Sequence, residues 1–239
     1  MKPQLLVQQS QLDQEVSTAA NGLELVVSHD VVVSSKRVQR FFKRAMDVVV
    51  SGSALLLLSP VMIVIIMLVK RDGGPAFFGH GRLGKNGETF KCLKFRSMIH
   101  NSQAVLERYL TENPEARAEW EADHKLKNDP RVTRIGSFLR KSSLDELPQL
   151  INVLKGEMSL VGPRPIVSAE VVKYDRAIAH YYSVTPGITG LWQISGRNDV
   201  SYAERVMLDS LYVRSWSLGR DIAIMLKTLP AMMNRSGAY

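Results

Sequence analysis

The sequence is poor in several things that would fix its chemistry quickly. It has a single cysteine, Cys92, among 239 residues, so no internal disulfide can form and a reduced, cytoplasmic catalytic domain is expected. Its histidines, at positions 29, 80, 100, 124 and 180, never fall at ligand spacing, so there is no zinc pattern. Aromatic residues make up 7% of the chain and are not interleaved with basic ones. That argues against a stacking platform for nucleic acid, and no nucleic-acid module is recognisable. The opening residues, MKPQLLVQQSQLDQEV, lack the basic start and short apolar core of a signal peptide. There is no internal repeat and no low-complexity tract. Charge is absent altogether from Val48 to Val69, 22 residues with Pro60 near the middle.

That uncharged run is long enough to cross a bilayer as a helix, at about 1.5 Å per residue against a core of about 30 Å. Basic residues stand on both sides of it: Lys36, Arg37, Arg40, Lys43 and Arg44 before, Lys70 and Arg71 after, with Arg82 and Lys85 beyond. Basic clusters favour the cytoplasmic side, so a straight crossing would put one of them on the wrong side. Pro60 removes a backbone donor and crowds the preceding turn. The hydroxyl of Ser59 or Ser51 can serve a carbonyl freed in this way. Three paths stay open on these residues: a hairpin that enters one leaflet and returns, a Pro-kinked spanning helix and, fitting least with so long a charge-free run, a buried core helix.

The remaining chain divides by composition. Residues 1 to about 35, rich in Gln, Ser and Val, read as a poorly ordered tail, with LELVVSHDVVVSS a possible short strand. Residues 36–72 hold the basic entry and the apolar run, and residues 73–239 read as the catalytic domain. The segment 101–130 reads as a charged helical pair. SYAERVMLDSLYVRSW has helical spacing and a capping box from Ser201 to Glu204, and DIAIMLKTLPAMM follows it, broken at Pro230. The fold class expected is α/β, mostly helical with small sheet elements. The net charge of +8, from 31 basic and 23 acidic residues, points to a polyanionic partner such as an anionic lipid surface or a phosphorylated substrate.

The densest polar chemistry lies in RVTRIGSFLRKSSLDELPQLINVLKGEMSLVGPRP, residues 131–165. Asp145 and Glu146 are adjacent carboxylates, and Ser143 with Glu146 matches a capping box, so a helix is expected to begin here. Free amides and the positive end of the helix dipole would keep both carboxylates ionised. One could act as a nucleophile while the other holds Mg²⁺, which takes oxygen ligands and substrate phosphates. Taken alone, the pattern serves capping more often than catalysis. Arg131, Arg134, Arg140, Arg164 and Arg197 all lie near Gly, Pro or Ser, and guanidinium binds phosphate oxygens bidentately. In KCLKFRSM, Lys94 and Arg96 would share one face of a strand, which can be a basic groove that binds substrate or just an exposed strand face.

The ordered set KRAMDVV, the apolar run with Ser59-Pro60, KFRSM, DPRVTRIGSFLRKSSLDELPQLINVLKGEMSLVGPRP, TPGITGLWQISGRN and LDSLYVRSWSLGRDIAIMLKT resembles the bacterial sugar transferases, also called monotopic polyprenyl-phosphate phosphoglycosyltransferases. The likeness runs from about Lys43 to the C-terminus and is nearest to the short branch that starts exopolysaccharide synthesis. It implies transfer of a sugar-1-phosphate, galactose or glucose, from a UDP-sugar to undecaprenyl phosphate at the cytoplasmic face of the inner membrane, with release of UMP. It implies Asp145 as nucleophile and Glu146 as Mg²⁺ ligand. Arg164, Pro165 and Arg197 would bind nucleotide or phosphate. Lys94, Arg140 and Asp221 match polar positions grouped around the active site. Ser59-Pro60 matches the family's re-entrant break, which selects the hairpin. Partners implied are the UDP-sugar, undecaprenyl phosphate and anionic lipids, with a homo-oligomer open and no nucleic acid. Two other classes remain to be separated by experiment, an Mg²⁺-dependent nucleotide-sugar hydrolase and a catalytically inactive membrane scaffold.

Overall fold

The computed structural model describes residues 37–123, 126–195 and 200–233, without the side chains of 122, 123, 229 and 231–233. The expected tail and its possible strand lie outside these residues. The chain separates into two units, Met1–Ala45 and Met46–Tyr239. Of the first, only the opening turns of a helix are described, where Phe41 and Phe42 are exposed.

That helix, α1, runs Arg37–Asp72 and ends in a 3-10 turn at Lys70–Asp72. It is long and apolar enough to cross a membrane. Within the second unit its buried positions are Asp47, Ser51, Met62, Ile65 and Val69, with Ala54, Leu55 and Leu58 partly covered. Steps of three and four residues put all of these on one stripe. The stripe packs on the domain along its whole length. Asp47 Oδ1 accepts from Ser159 Oγ at 3.1 Å and from the Leu160 amide at 3.0 Å, while Met62, Ile65 and Val69 join Phe95 and Leu139 in one core cluster. The opposite face leaves Val49, Leu56, Leu57, Ile63 and Met67 exposed, as a lipid-facing surface would be.

Helical residues continue through Ser59-Pro60 without interruption, so what Pro60 breaks is a hydrogen bond and not the helix. Pro60 has no amide to give to the carbonyl of Leu56. The Ser59 hydroxyl donates to that carbonyl instead, at 2.8 Å. Ser51, the other residue expected to do this, is fully buried and its hydroxyl has no partner.

A hairpin follows α1: β1 (Phe77–Leu83) pairs antiparallel with β2 (Thr89–Phe95), Phe78 opposite Lys94. The expected strand in KCLKFRSM is therefore present. The charged pair is also present, as α2 (Ser102–Glu112) and α3 (Pro114–Asp123). Then come α4 (Arg134–Ser142), α5 (Gln149–Lys155) and β3 (Ser159–Val161), which pairs in parallel with β4 (Gly187–Thr189). Between those two strands lie α6 (Val171–Tyr174) and α7 (Ile178–Tyr182), and after them α8 (Leu191–Ile194), α9 (Tyr202–Arg214) and α10 (Leu218–Met233). The fold is mostly helical with two small sheets. The capping box at Ser201 forms as read: the Ser201 amide donates to Glu204 Oε2 at 2.8 Å, and the Glu204 amide to Ser201 Oγ at 3.3 Å. Pro230 does not break the last helix, which carries it inside and continues to Met233.

Candidate active site

Asp145 and Glu146 do not open a helix. They occupy a 3-10 turn, Leu144–Glu146, between α4 and α5. The chain enters it through Ser143, whose φ of 58° is left-handed and ends α4. A left-handed serine costs free energy locally, and its hydroxyl makes no cap, so the expected capping box is absent. The helix proper begins at Gln149, after Pro148 as its N-cap residue. The local backbone explains why: Glu146 and Leu147 donate back three residues, to Ser143 and Leu144, and a proline has no amide to give. Leu144 and Leu147, which flank the two carboxylates, pack against the cluster of Met62, Ile65, Val69 and Leu139.

Lys94, from β2, reaches across to this turn. Its Nζ lies 2.6 Å from Glu146 Oε1 and 3.5 Å from Asp145 Oδ2. The strand is held in place one residue earlier. Asn152, fully buried on α5, accepts from the Leu93 amide at 3.0 Å and donates to the Lys91 carbonyl at 2.9 Å and to Glu157 at 2.6 Å. Arg140, in the last turn of α4, donates to Ser97 Oγ at 2.8 Å, and its charge acts on Asp145.

The two carboxylates differ. The Asp145 side chain is 11% exposed and that of Glu146 38%. Burial raises the Asp145 pKa above the ordinary value, Lys94 and Arg140 oppose the rise and the Glu146 charge adds to it. Burial lowers the Lys94 pKa, but Glu146 and then Asp145 outweigh it and leave the net shift upward. Both partners of the Lys94–Asp145 contact thus move up. The geometry accounts for this, because the ammonium is shared unequally and sits nearer to Glu146. The expectation that both carboxylates are held ionised by a helix start is corrected for Asp145, whose burial favours the protonated form. Among the described residues no three His, Cys, Asp or Glu side chains gather as a metal cage. The donor set is two adjacent carboxylates, one of them open to solvent. That set fits Mg²⁺ in its usual mode, with few protein oxygens and substrate phosphates as further ligands.

Arg164 is exposed on the Gly-Pro-Arg-Pro loop after β3, with its Cζ 5.7 Å from the centre of the Trp192 ring. The loop is fixed by a close approach of β3 and β4: a side chain on Gly162 would meet Thr185 O at 2.6 Å, and one on Gly187 would meet the Gly162 nitrogen at 2.1 Å. Pro165 is buried, and its carbonyl accepts from Arg82 at 3.2 Å. Arg164 acts electrostatically on Lys94, so the loop and the carboxylate turn are neighbours. Arg197 lies outside the described residues.

Two expected site residues are elsewhere. Arg96 lies one residue past β2 and donates to Pro75 O at 2.7 Å, Val69 O at 2.9 Å and Asp72 Oδ2 at 2.6 Å. Its guanidinium holds the end of α1 and brings the Asp72 carboxyl down to about 2. Lys94 and Arg96 therefore do not form one basic face: the strand ends at Phe95 and the chain turns Arg96 toward α1. Asp221 is fully buried on α10, accepting from Tyr212 Oη at 2.8 Å and Trp216 Nε1 at 3.0 Å. It ties α9 to α10 behind β3, since the Tyr212 hydroxyl also lies 3.1 Å from Val161 O.

Residues not expected from sequence are Asn152 and a cluster of Arg82, Glu170, Trp192, Arg205 and Asp209. Arg205 and Asp209 fall four residues apart on a helix expected to be amphipathic, so their charges on its inner face were a legible signal.

The family model described as bacterial sugar transferase matches residues 38–235. An exopolysaccharide production protein ExoY of Rhizobium meliloti is 56% identical over 198 residues, covering 82% of this chain and 88% of that protein. An undecaprenyl-phosphate galactose phosphotransferase of Salmonella typhimurium is 54% identical over 223 residues, 91% of this chain and 47% of that protein. A UDP-glucose:undecaprenyl-phosphate glucose-1-phosphate transferase of Escherichia coli is 41% identical over 230 residues, 92% and 46%. The chain spans about half the length of these last two relatives.

Proposed function

The chain belongs to the bacterial sugar transferase family, and from that premise we propose that it transfers a sugar-1-phosphate from a UDP-sugar to undecaprenyl phosphate, releasing UMP, as a membrane step of exopolysaccharide synthesis. The single observation that carries this reading is the Asp145-Glu146 turn, gripped by Lys94 and backed by residues that pack on the apolar helix. Galactose and glucose are the sugars that the names of the relatives offer.

Asp145 is the nucleophile. One of its oxygens bonds to the phosphorus that bears the sugar, the bond to the bridging oxygen breaks, and UMP leaves with the electron pair. The phosphate of the lipid acceptor then attacks the aspartyl phosphosugar and frees the carboxylate. Two anions meet in each step, so cations must offset the repulsion. Lys94 holds its ammonium against both carboxylates, and Arg140 and Arg164 stand beside them. Glu146, the more open carboxylate, would hold Mg²⁺, which when bound would neutralise phosphate charge. Burial keeps Asp145 from water while it waits for a phosphate.

Helical residues continue through Ser59-Pro60, so the support for a path on one side of the membrane comes from the packing of α1 and not from a turn at that pair. The buried stripe of α1 stays in contact with one compact unit from Asp47 to Val69. A crossing helix would have to strip that stripe from its partners. Anionic lipids are the expected neighbours of the basic residues around α1, and the cytoplasmic face of the inner membrane is the expected location.

The test is UMP release by the purified chain in nanodiscs with undecaprenyl phosphate, Mg²⁺ and a panel of UDP-sugars. Release that requires the lipid and falls to background in Asp145→Asn is expected, with Glu146→Gln active only weakly and at raised Mg²⁺. Lipid-independent release would favour a hydrolase. Absence of release with every donor, in folded protein, would refute the transferase reading and leave the scaffold.

A further inference from the structure

Beyond Arg164, away from the carboxylate turn, three arginines converge. Arg82 Nη1 lies 3.6 Å from Glu170 Oε2, and Arg205 Nη1 lies 3.8 Å from Glu170 Oε1. Both separations exceed a hydrogen bond, so one carboxylate balances two guanidiniums without engaging their donors fully. Arg164 and Arg205 share the Trp192 ring, their Cζ atoms 5.7 and 5.1 Å from its centre. Arg205 also lies over Tyr202 at 5.1 Å, and Lys173 Nζ over the same ring at 4.7 Å. The Nε and Nη2 atoms of Arg205, the edge that grips an anion bidentately, are buried with no partner, as is Trp192 Nε1. Two carboxylates answer four cations here, Glu170 and Asp209. The second is engaged by the Tyr174 hydroxyl at 2.7 Å through Oδ2, and its Oδ1 is without a partner.

We infer that Arg164 and Arg205, which share the Trp192 ring, form with Arg82 the subsite for the nucleoside-bearing phosphate of the donor, which departs as the nucleoside monophosphate. This rests on the transferase reading above. When the carboxylate oxygen bonds to the sugar-bearing phosphorus, the electron pair of the broken bond stays on the bridging oxygen. The departing monophosphate gains negative charge at that moment. Preset guanidiniums stabilise charge that develops there. Arg164 joins the two halves of the site, since its charge is felt by Lys94 on one side and by Arg82 and Asp209 on the other.

The position favours the soluble donor over the lipid acceptor. Arg82 precedes Leu83, and Arg205 lies beside Tyr202 and Val206. These belong to a core of Leu83, Ile166, Tyr174 and Tyr181 to which α1 contributes nothing. The carboxylate turn packs instead on the cluster that α1 shares. The donor's phosphates would thus be divided, the sugar-bearing one toward the membrane helix and the nucleoside-bearing one away from it.

The test is calorimetric binding of UMP, uridine and inorganic phosphate to the full chain in nanodiscs. Variants are Arg205→Met, Arg205→Lys, Arg164→Met and, as a control on an exposed side chain of α5, Lys155→Met. UMP should bind wild type at least about tenfold tighter than uridine, and Arg205→Met and Arg164→Met should each remove about tenfold of UMP affinity, one strong contact's worth, with uridine unchanged. Arg205→Lys should recover only part, and Lys155→Met should change nothing. Unchanged UMP affinity in both arginine variants, or equal loss for UMP and uridine, would overturn the subsite. If Arg205→Met fails to fold, Arg164→Met decides alone, because that side chain is exposed. UMP binding without turnover of any donor would retain the subsite and retire the transferase. Turnover with UMP affinity indifferent to Arg164 and Arg205 would do the reverse.

Discussion

Replacing Asp209 with asparagine should stabilise the protein at high pH relative to low pH, by an amount the structure sets. Asp209 is 2% exposed on α9, and burial raises its carboxyl from 3.8 to about 6, against the opposing hydrogen bond from Tyr174 and the charges of Arg205 and Arg164. A carboxyl raised on folding binds its proton more tightly in the folded state. Stability is therefore greatest below the unfolded value and declines as pH rises through the window from about 4 to about 6. A shift of about 2 units corresponds to about 3 kcal/mol at 1.36 kcal/mol per unit. Between pH 4.5 and pH 8 the wild type should lose about 2 kcal/mol of that, since part of the window lies below pH 4.5. Asparagine keeps an acceptor for the Tyr174 hydroxyl and carries no charge, so it escapes the loss. The assay is a pair of reversible thermal melts in nanodiscs, wild type and Asp209→Asn, at each pH. The difference in Tm between the two proteins should grow by about 4–8 °C from pH 4.5 to pH 8, at about 2–4 °C per kcal/mol for a chain of this size. A difference that stays the same at both pH values would refute the reasoning, because only the titrating carboxyl changes over that range in one protein and not in the other.

Asn152→Ala removes the two hydrogen bonds that tie β2 to α5 and a third to Glu157, and leaves the Leu93 amide and Lys91 carbonyl without that partner. It should cost about 3 kcal/mol in melts. It should also lower the UMP-release rate at temperatures where the variant is fully folded, because Lys94 loses its anchor. Full activity in the folded fraction would contradict that link. Ser59→Ala should cost about 1 kcal/mol in wild type and almost nothing in a Pro60→Ala background, because an alanine amide can serve the Leu56 carbonyl again. A double-mutant cycle with no coupling would show that the hydroxyl does not repair the helix.

What could be read from the sequence was whatever is local. The apolar run, the Ser201 capping box, the helix pair before residue 124 and the strand around Lys94 all follow from spacing within a dozen residues, and all are present. The Ser59 repair was legible for the same reason, since a proline's missing amide and a hydroxyl one residue earlier are neighbours in sequence. What failed depended on long-range competition. Ser143 and Glu146 match a capping box by type, but Ser143 is taken as the left-handed end of α4, where Leu139 packs fully buried against α1. Arg96 alternates with Lys94 on paper, but Asp72 lies 24 residues back and claims it. Pro230 looked like a stop, yet α10 carries it through. The Glu170 and Trp192 cluster draws on β1, the loop after β3, α8 and α9, and no window of sequence brings those together.

On the proposed function, the same contacts would explain why an apolar helix and a phosphoryl-transfer site belong in one unit. Arg96 binds the carbonyl of Val69 and the carboxylate of Asp72, and two residues earlier Lys94 binds Glu146. From the other side, Leu144 and Leu147 bracket the carboxylates and rest on Met62, Ile65 and Val69. The carboxylate turn is thus fixed to the second half of α1 by two independent routes, one polar and one apolar. Neither route has room to slide, because the polar one is a guanidinium with four partners and the apolar one is a close-packed cluster. A shift of α1 along its axis would move Lys94 against Asp145 and Glu146 directly. On the proposed function, an acceptor whose phosphate is confined to a lipid surface would gain from such a linkage, because the depth of α1 in the membrane would then set the height of Asp145. A soluble acceptor would gain nothing from it.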